Sequence, residues 1–183
     1  ELHCFFSSAT STCDRIDKIN KICKEEPVLK DLETKYPLSQ KILRLVGKSV
    51  GDYNMIRSND NVMIGLSGGK DSLVLTLALA VLKKKSPIKF NLTACLIDHS
   101  DGALNTEKIK DFMNELEVPL HIILHPTFKI IKDREERSPC SLCANLRRGI
   151  LASTANEIGS NVIALGHNKD DAVETILLNL FYT

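Results

Sequence analysis

The stretch LSGGKDSL, residues 66–73, places two glycines, a lysine, an aspartate and two serines between two apolar runs. Glycines let the backbone approach a ligand closely, and the amides of a turn that opens a helix attract an anion. A carboxylate beside bound phosphates is repulsive unless a cation intervenes, so Asp71 predicts a Mg²⁺ ion there. The predicted contacts to a nucleotide phosphate are Ser67, Gly68, Gly69, Lys70, Asp71 and Ser72.

This stretch does not fit the Walker A loop. That loop needs four residues between its first glycine and its Gly-Lys pair, and a Ser or Thr after the lysine. Here three residues separate Gly65 from Gly69, and Asp71 follows Lys70. A Gly-rich strand-to-helix turn without a ligand is the plain alternative, and the Lys-Asp-Ser sequence argues against it. We therefore expect a phosphate site of another kind.

A second polar stretch, GHNKDD at residues 166–171, follows another short apolar run. Paired carboxylates beside a phosphate loop can bind Mg²⁺ or act as a base, and acidic capping of a helix start is the alternative. Asp98 ends an apolar run at a place where α/β nucleotide folds often contact ribose or adenine. The further predicted nucleotide contacts are Asp98, Gly166, His167 and Asp170, and the predicted Mg²⁺ ligands are Asp71 and Asp171.

Cys140 and Cys143 form a CxxC at the start of a predicted helix, so both thiols can face one side. The helix start and nearby Arg147 and Arg148 favour the thiolate form. This spacing suits zinc, an iron–sulfur cluster or a dithiol redox pair, and two partly buried structural thiols are the alternative. Residues 132–149 also carry five basic residues against three acidic ones. Such a stripe could meet RNA phosphates, and a solvated helix face explains it nearly as well.

The elements that position these residues alternate between short apolar runs and longer periodic segments. This order predicts an α/β fold with a doubly wound parallel sheet, and ligands bind beyond the carboxyl ends of such strands. Residues 67–71, 98–100 and 166–171 should therefore face one crevice. The predicted strands are 61–66, 90–98, 120–125 and 161–166, and the predicted helices are 38–56, 71–85, 104–118, 139–159 and the segment from Lys169 onward.

Composition sets further limits on the function. The chain has 183 residues, of which 43% are hydrophobic and 26% charged, and its formal net charge is +1. The net charge alone therefore does not indicate a nucleic-acid partner. No apolar stretch reaches the roughly 18–20 residues of a membrane helix, and the first residues lack the pattern of a secretory signal. We expect a cytoplasmic protein in which the six cysteines do not form a disulfide framework.

The motif SGGKDS after a strand resembles the PP-loop of the N-type ATP pyrophosphatases. Three further stretches, KILRLVGKSVGDYNMI, CSLCANLRRGIL and ALGHNKDDAVETILLNLFY, are similar to the TtcA-like tRNA 2-thiocytidine biosynthesis family. The resemblance covers residues 38–183 in order. Related tRNA 2-thiouridine enzymes share the GHNKDD motif but usually carry an N-terminal zinc ribbon. Residues 1–37 hold no CxxC, which favours the thiocytidine branch.

The resemblance implies an adenine nucleotide alpha hydrolase-like fold over residues 38–183, a PP-loop ATP-pyrophosphatase domain lacking its C-terminal part. Residues 1–37 would form an N-terminal helical extension. ATP would be cleaved between its α- and β-phosphates, and the adenylated tRNA base would then receive sulfur. A [4Fe-4S] cluster would be held by Cys140, Cys143 and a third cysteine outside this chain. The implied catalytic residues are Lys70, Asp71, Cys140, Cys143 and Asp171.

The resemblance also implies partners and leaves alternatives. tRNA is the expected substrate, a cysteine desulfurase or similar protein the expected sulfur donor, and a homodimer one expected assembly. A related PP-loop tRNA enzyme, either a 2-thiouridine synthetase or a lysidine synthetase-like ligase, is one alternative. A non-catalytic ATP-binding fragment is another.

Overall fold

The computed structural model describes residues 35, 36, 38, 40–99, 102, 104–133 and 139–182, with the backbone alone for 132, 133, 139–141 and 182. The predicted N-terminal helical extension lies outside the described residues, apart from 35 and 36. The elements alternate along the chain as the sequence predicts. They are α1 (Gln40–Asp52), β1 (Asn61–Leu66), α2 (Lys70–Lys85), β2 (Asn91–Asp98), α3 (Glu107–Glu115), β3 (Leu120–Leu124), α4 (Thr127–Asp133), α5 (Pro139–Glu157), β4 (Val162–Leu165) and α6 (Lys169–Tyr182).

All four predicted strands form one parallel sheet in the order β3-β2-β1-β4. The chain moves outward from β1 to β2 and β3, then returns to place β4 on the other side of β1. The gap between β1 and β4 is therefore the topological switch point, where open α/β sheets bind ligands. The predicted α/β fold class is confirmed.

The two faces of the sheet bury different residues because strand side chains alternate. In β1 and β2, Val62, Ile64 and Leu96 face the side covered by α1, α2 and α3. Met63 and Cys95 face the side covered by α5. Helix α2 is buried on all sides in its middle, where the consecutive residues 76–81 are all buried. This explains why its sequence is apolar almost all round.

Polar side chains join three strands at the amino edge of the sheet. The Asn91 amide donates to Asn61 Oδ1 at 2.8 Å, and the Asn61 backbone N–H donates to Asn161 Oδ1 at 2.8 Å. The Asn161 amide donates to Asp60 Oδ1 at 2.7 Å. Asp60 is buried, and the backbone N–H of Arg57 donates to its Oδ2 at 2.6 Å. These hydrogen bonds lower the pKa of the Asp60 carboxyl.

Helix α6 exposes a run of large apolar side chains, although its first turn is polar. Among the helices in the described ranges, none is long and apolar enough to cross a membrane. The exposed apolar residues of α6 are Val173, Ile176, Leu177, Leu178, Leu180 and Phe181.

Candidate nucleotide and sulfur-transfer site

The loop after β1 is closed by hydrogen bonds among its serines and glycines. Gly68 has a φ of +76°, a conformation that glycine adopts without a steric penalty. The backbone N–H of Gly69 donates to Ser67 Oγ at 3.3 Å, and the Ser72 hydroxyl donates to the Gly69 carbonyl at 2.8 Å. The backbone N–H of Ser67 also donates to Ser72 Oγ at 3.3 Å. The buried Ser72 side chain therefore stabilises the loop through hydrogen bonds to both of its ends.

Helix α2 begins inside this loop at Lys70. Its N-cap residue is Gly69, which has an extended backbone and no side chain with which to cap the helix. The first-turn N–H groups of a helix have no intrahelical partner, so they remain available to an anion. Lys70 and Asp71 are exposed at this helix start. The loop thus offers backbone donors, one cationic side chain and one carboxylate in a single place.

The end of β4 lies directly against the start of α2. A Cβ atom placed on Gly166 would lie 2.8 Å from the backbone nitrogen of Ser72 and 3.0 Å from the carbonyl carbon of Asp71. Only glycine allows two backbones to approach this closely. The sequence motif GHNKDD is therefore brought against the phosphate loop across the switch point, as the sequence predicts.

The residues after Gly166 form a capping box at the start of α6. The Asn168 side-chain oxygen accepts hydrogen bonds from the backbone N–H groups of Asp170 at 2.8 Å and Asp171 at 3.1 Å. In return, the Asn168 backbone N–H donates to Asp171 Oδ2 at 2.7 Å. This reciprocal pattern is the capping box. Asp171 thus caps the start of α6, which is the alternative role that the sequence offers for it. His167 and Asp170 are exposed. The signal for Asn168 was present in the sequence, as an Asn directly before a helix.

Asp98 ends β2 beside the phosphate-loop strand. It is buried, and its Oδ2 accepts a hydrogen bond from the Gly102 backbone N–H at 3.0 Å. The carboxylate therefore holds Gly102 close to the end of β2. Its predicted contact with ribose or adenine stays a prediction.

A cluster that sequence reasoning missed lies at the ends of β2 and β3. The hydroxyl of the fully buried Thr127 lies 2.7 Å from His99 Nδ1 and 2.8 Å from His125 Nδ1. Burial, then the charges of Arg147 and His125, lower the pKa of His99, and Asp98 opposes them. His99 and Thr127 are far apart in sequence, so no local pattern could have revealed their contact.

The predicted sulfur site lies on α5, which packs against α4 and β4. Cys143 is half-buried near the start of this helix, and Cys140 precedes it by almost one turn. A third described cysteine, Cys95, lies inside the core, where burial raises the pKa of its thiol to about 11. Cys95 is therefore unsuited to act as a thiolate ligand.

The CxxC fits an iron–sulfur cluster as part of a ligand set. Thiolates are the usual ligands of such clusters, and a [4Fe-4S] cluster requires more of them than these two cysteines supply. Within the described part of the chain, no three His, Cys, Asp or Glu side chains come together as a metal site. The Mg²⁺ ligands Asp71 and Asp171, like the cluster ligands, stay predictions.

Comparison with known proteins decides the family. A sequence profile described as a PP-loop domain matches residues 35–183. The chain belongs to the PP-loop family. Among curated relatives, it is 44% identical over 147 residues to the tRNA-cytidine(32) 2-sulfurtransferase of Aliivibrio salmonicida (strain LFI1238). It is 43% identical over 147 residues to the protein of the same name from Burkholderia cenocepacia (strain HI2424).

The matches to both relatives cover 79% of this chain, but 48% of the first relative and 44% of the second. The chain therefore spans about half the length of the curated relatives it matches. A solved structure, the U34-tRNA thiolase NcsA from Methanococcus maripaludis with its [4Fe-4S] cluster, matches with a TM-score of 0.65 and 29% identity. That match covers 77% of this chain and 48% of the thiolase. The predicted resemblance to the thiocytidine branch is confirmed.

Proposed function

We propose that this protein is an ATP-dependent tRNA sulfurtransferase that converts a tRNA cytidine to 2-thiocytidine. The observation that carries the proposal is the close approach of Gly166 to the backbone of Asp71 and Ser72 at the switch point. It joins the phosphate loop and the GHNKDD turn into one site at the place where this fold binds ligands. The names of the curated relatives supply the substrate class.

The phosphate loop holds the leaving group of the first step. The α2 N–H groups and Lys70 bind the β- and γ-phosphates of ATP, and Asp71, with Asp170 or Asp171, would hold the accompanying Mg²⁺. The C2 oxygen of the cytidine attacks the α-phosphorus, and the bond from that phosphorus to the bridging oxygen breaks. Pyrophosphate leaves, and its negative charge is stabilised by Lys70 and the helix start.

The second step replaces oxygen with sulfur. A sulfur nucleophile adds to C2 of the adenylated base, and AMP leaves with the former C2 oxygen. Cys140 and Cys143 would help hold an iron–sulfur cluster, which supplies an iron that can bind sulfur when the cluster is present. A cysteine desulfurase as sulfur donor, a homodimer and a cytoplasmic location belong to the same proposal.

The first experiment measures pyrophosphate release with and without tRNA. The protein should release pyrophosphate from Mg-ATP faster when tRNA is present, and Asp71→Asn should weaken this activity at least about tenfold, as expected for one lost metal ligand. Asp111→Asn, an exposed carboxylate on α3, is the matched control and should leave release unchanged. Equal pyrophosphate release by Asp71→Asn and Asp111→Asn would contradict the proposed role of the phosphate loop. Failure of the wild-type chain to release pyrophosphate would favour a non-catalytic nucleotide-binding protein.

The second experiment identifies the product and tests the thiols. Nucleosides from treated tRNA should contain 2-thiocytidine, and the relatives' names point to cytidine 32 as the target. Anaerobic reconstitution with iron and sulfide, in a protein that also supplies the third cysteine, should give broad visible absorption, which Cys143→Ser should remove and Cys95→Ala should retain. ATP binding should survive both changes. Residues 1–183 alone should bind the cluster poorly, because their two available cysteines offer too few thiolates. Tight zinc binding without any iron would show that the CxxC is structural.

A second candidate function is thiolation of uridine, favoured by the structural similarity to a U34-tRNA thiolase. The same nucleoside measurement separates the two candidates, because this function would give 2-thiouridine from the wobble position.

A further inference from the structure

An exposed aromatic ring lies at the same edge of the sheet as the phosphate loop. Phe128 is the second residue of α4, which begins just after β3, and 60% of its surface is exposed. Strands β1 and β3 are separated by β2, so they lie about 10 Å apart at the usual spacing of strands. The ring is thus placed two strands from the loop that is proposed to hold ATP.

The backbone that carries Phe128 is fixed in place. The preceding residue, Thr127, is fully buried, and its hydroxyl contacts the Nδ1 atoms of both His99 and His125. The backbone N–H of Thr127 donates to the His125 carbonyl at 2.7 Å, and the His125 N–H donates to the Asp98 carbonyl at 2.9 Å. The exposed ring is therefore presented by a rigid connection to β2 and β3.

The surroundings of the ring are polar and basic. The His99 ring lies 6.0 Å from the Phe128 ring, centre to centre, at an interplanar angle of 49°. Lys129 is exposed next to Phe128 in the sequence, and Arg147 on α5 is exposed and near enough to His99 to affect its charge state. A single flat ring among cationic groups suits a nucleobase with its phosphates.

The exposed apolar face of α6 provides the contrast. There Val173, Ile176, Leu177 and Leu180 recur at the spacing of one helix face. A continuous apolar stripe of this kind suits packing against another protein surface. Phe128 instead lies beside the His99 ring and next to the exposed Lys129, with the exposed Leu124 four residues before it. The imidazole and cationic neighbours favour an RNA base over a protein partner as the ligand.

We propose that Phe128 is the stacking surface for the unstacked target base of the tRNA, with Arg147 and Lys129 contacting the adjacent phosphates. This proposal rests on the proposed function, because it takes a single-stranded tRNA cytidine as the ligand. Sequence-specific RNA recognition generally splays such bases onto aromatic side chains. Phe128 would fix the base at the crevice edge, where its C2 oxygen can be directed toward ATP.

The test uses the 183-residue chain and an RNA hairpin that contains pyrrolo-cytidine at the target position. The fluorescence of this cytidine analogue falls when it stacks. Wild-type protein should bind the hairpin and quench the probe, and Phe128→Leu should weaken binding by about tenfold and lose the quenching. Phe128→Trp should retain both. Phe181→Leu is the matched control, because this phenylalanine is 70% exposed on the apolar face of α6, and it should behave like wild type.

Three results would overturn the proposal. They are unchanged binding and quenching in Phe128→Leu, an equal loss in Phe181→Leu, and a loss of ATP affinity in Phe128→Leu with RNA binding unchanged. A loss of ATP affinity in Phe128→Leu with RNA binding unchanged would mean that the ring packs against adenine. An equal loss in Phe181→Leu would mean that the apolar face of α6 contributes to binding. Circular dichroism should show that both variants keep the fold, because both rings are mostly exposed.

Failure of the proposed function has a different result. Quenching that depends on Phe128 without any thiolated product would remove the sulfurtransferase activity and keep the stacking contact. Thiolated product from a wild-type protein that never quenches the probe would support the sulfurtransferase activity and reject the stacking contact.

Discussion

Substitution of Gly166 by alanine adds one methyl group at the contact between β4 and α2. This methyl would lie 2.8 Å from the Ser72 nitrogen and 2.9 Å from the Ser72 Cα atom, whereas ordinary contacts of a Cβ atom begin near 3.4 Å. The neighbouring atoms belong to backbone, so no side-chain rotation can relieve the overlap. The end of β4 or the first turn of α2 must move by roughly half an ångström.

The expected cost follows from this displacement. Overpacking of a close contact destabilises proteins by about 1–3 kcal/mol. Because the moved atoms include the N–H groups proposed to bind phosphate, ATP affinity should also fall by about tenfold, which corresponds to ~1.4 kcal/mol. Gly166 does not have a positive φ, so the methyl group itself is the perturbation.

Gly149→Ala is the matched control. A Cβ atom at Gly149 meets nothing within 4 Å, and this residue lies inside α5. Alanine there should stabilise the helix by roughly 0.5–1 kcal/mol and leave ATP binding unchanged. Urea unfolding measures the stability of both variants, and titration calorimetry with Mg-ATP measures affinity. A Gly166→Ala variant that matches wild type in both measurements would refute the close approach of the two backbones.

Three further changes test other parts of the fold. Asn168→Ala should destabilise the protein by about 1 kcal/mol in urea unfolding because the capping box of α6 is lost, whereas Asn168→Ser should retain most of that stability. An alanine variant as stable as wild type would contradict the cap. The pKa of His99 is lowered, so the unfolded chain takes up this proton at a higher pH than the folded protein does. The resulting contribution to stability is full above about pH 6.5 and is lost as the pH falls through the lowered value. Urea midpoints measured between pH 7.5 and 5 should therefore decline less in His99→Gln, and an identical slope would count against this assignment. Asp60→Ala should cost about 1–3 kcal/mol in urea unfolding, since it leaves the Arg57 N–H and the Asn161 amide without their acceptor. Wild-type stability in this variant would show that water replaces the carboxylate.

The strands and most helices could be predicted because their apolar patterns are strong. NVMIGL is β1 with the bounds that the sequence predicts, and the segment after it forms α2. Helix α4 was missed because its seven residues span only two turns, too few for a helical period to show. Helix α1 is shorter than the predicted helix over 38–56, because it ends at Asp52 and residues 53 and 54 form a turn.

The site was predictable where its signals are local. The glycines and serines of the phosphate loop lie within a few positions of each other, so their joint role could be inferred from spacing. The contact of Gly166 with Ser72 and the bridge from His99 through Thr127 to His125 depend on how distant segments pack. Such contacts leave no periodic pattern in a single sequence.

The asparagines at the amino edge of the sheet have a consequence for how the chain finds its native pairing. Because strand side chains alternate with a period of two, a slip of β4 by two residues along β1 would keep every apolar residue on its proper face. Hydrophobic burial therefore discriminates poorly against that error, which would displace the end of β4 by about 7 Å. The amide contacts between Asn61 and Asn161, 100 residues apart in the chain, exist only in the native alignment. They lie at the far end of the sheet, yet they fix where Gly166 meets α2, so folding errors at one edge become binding defects at the other.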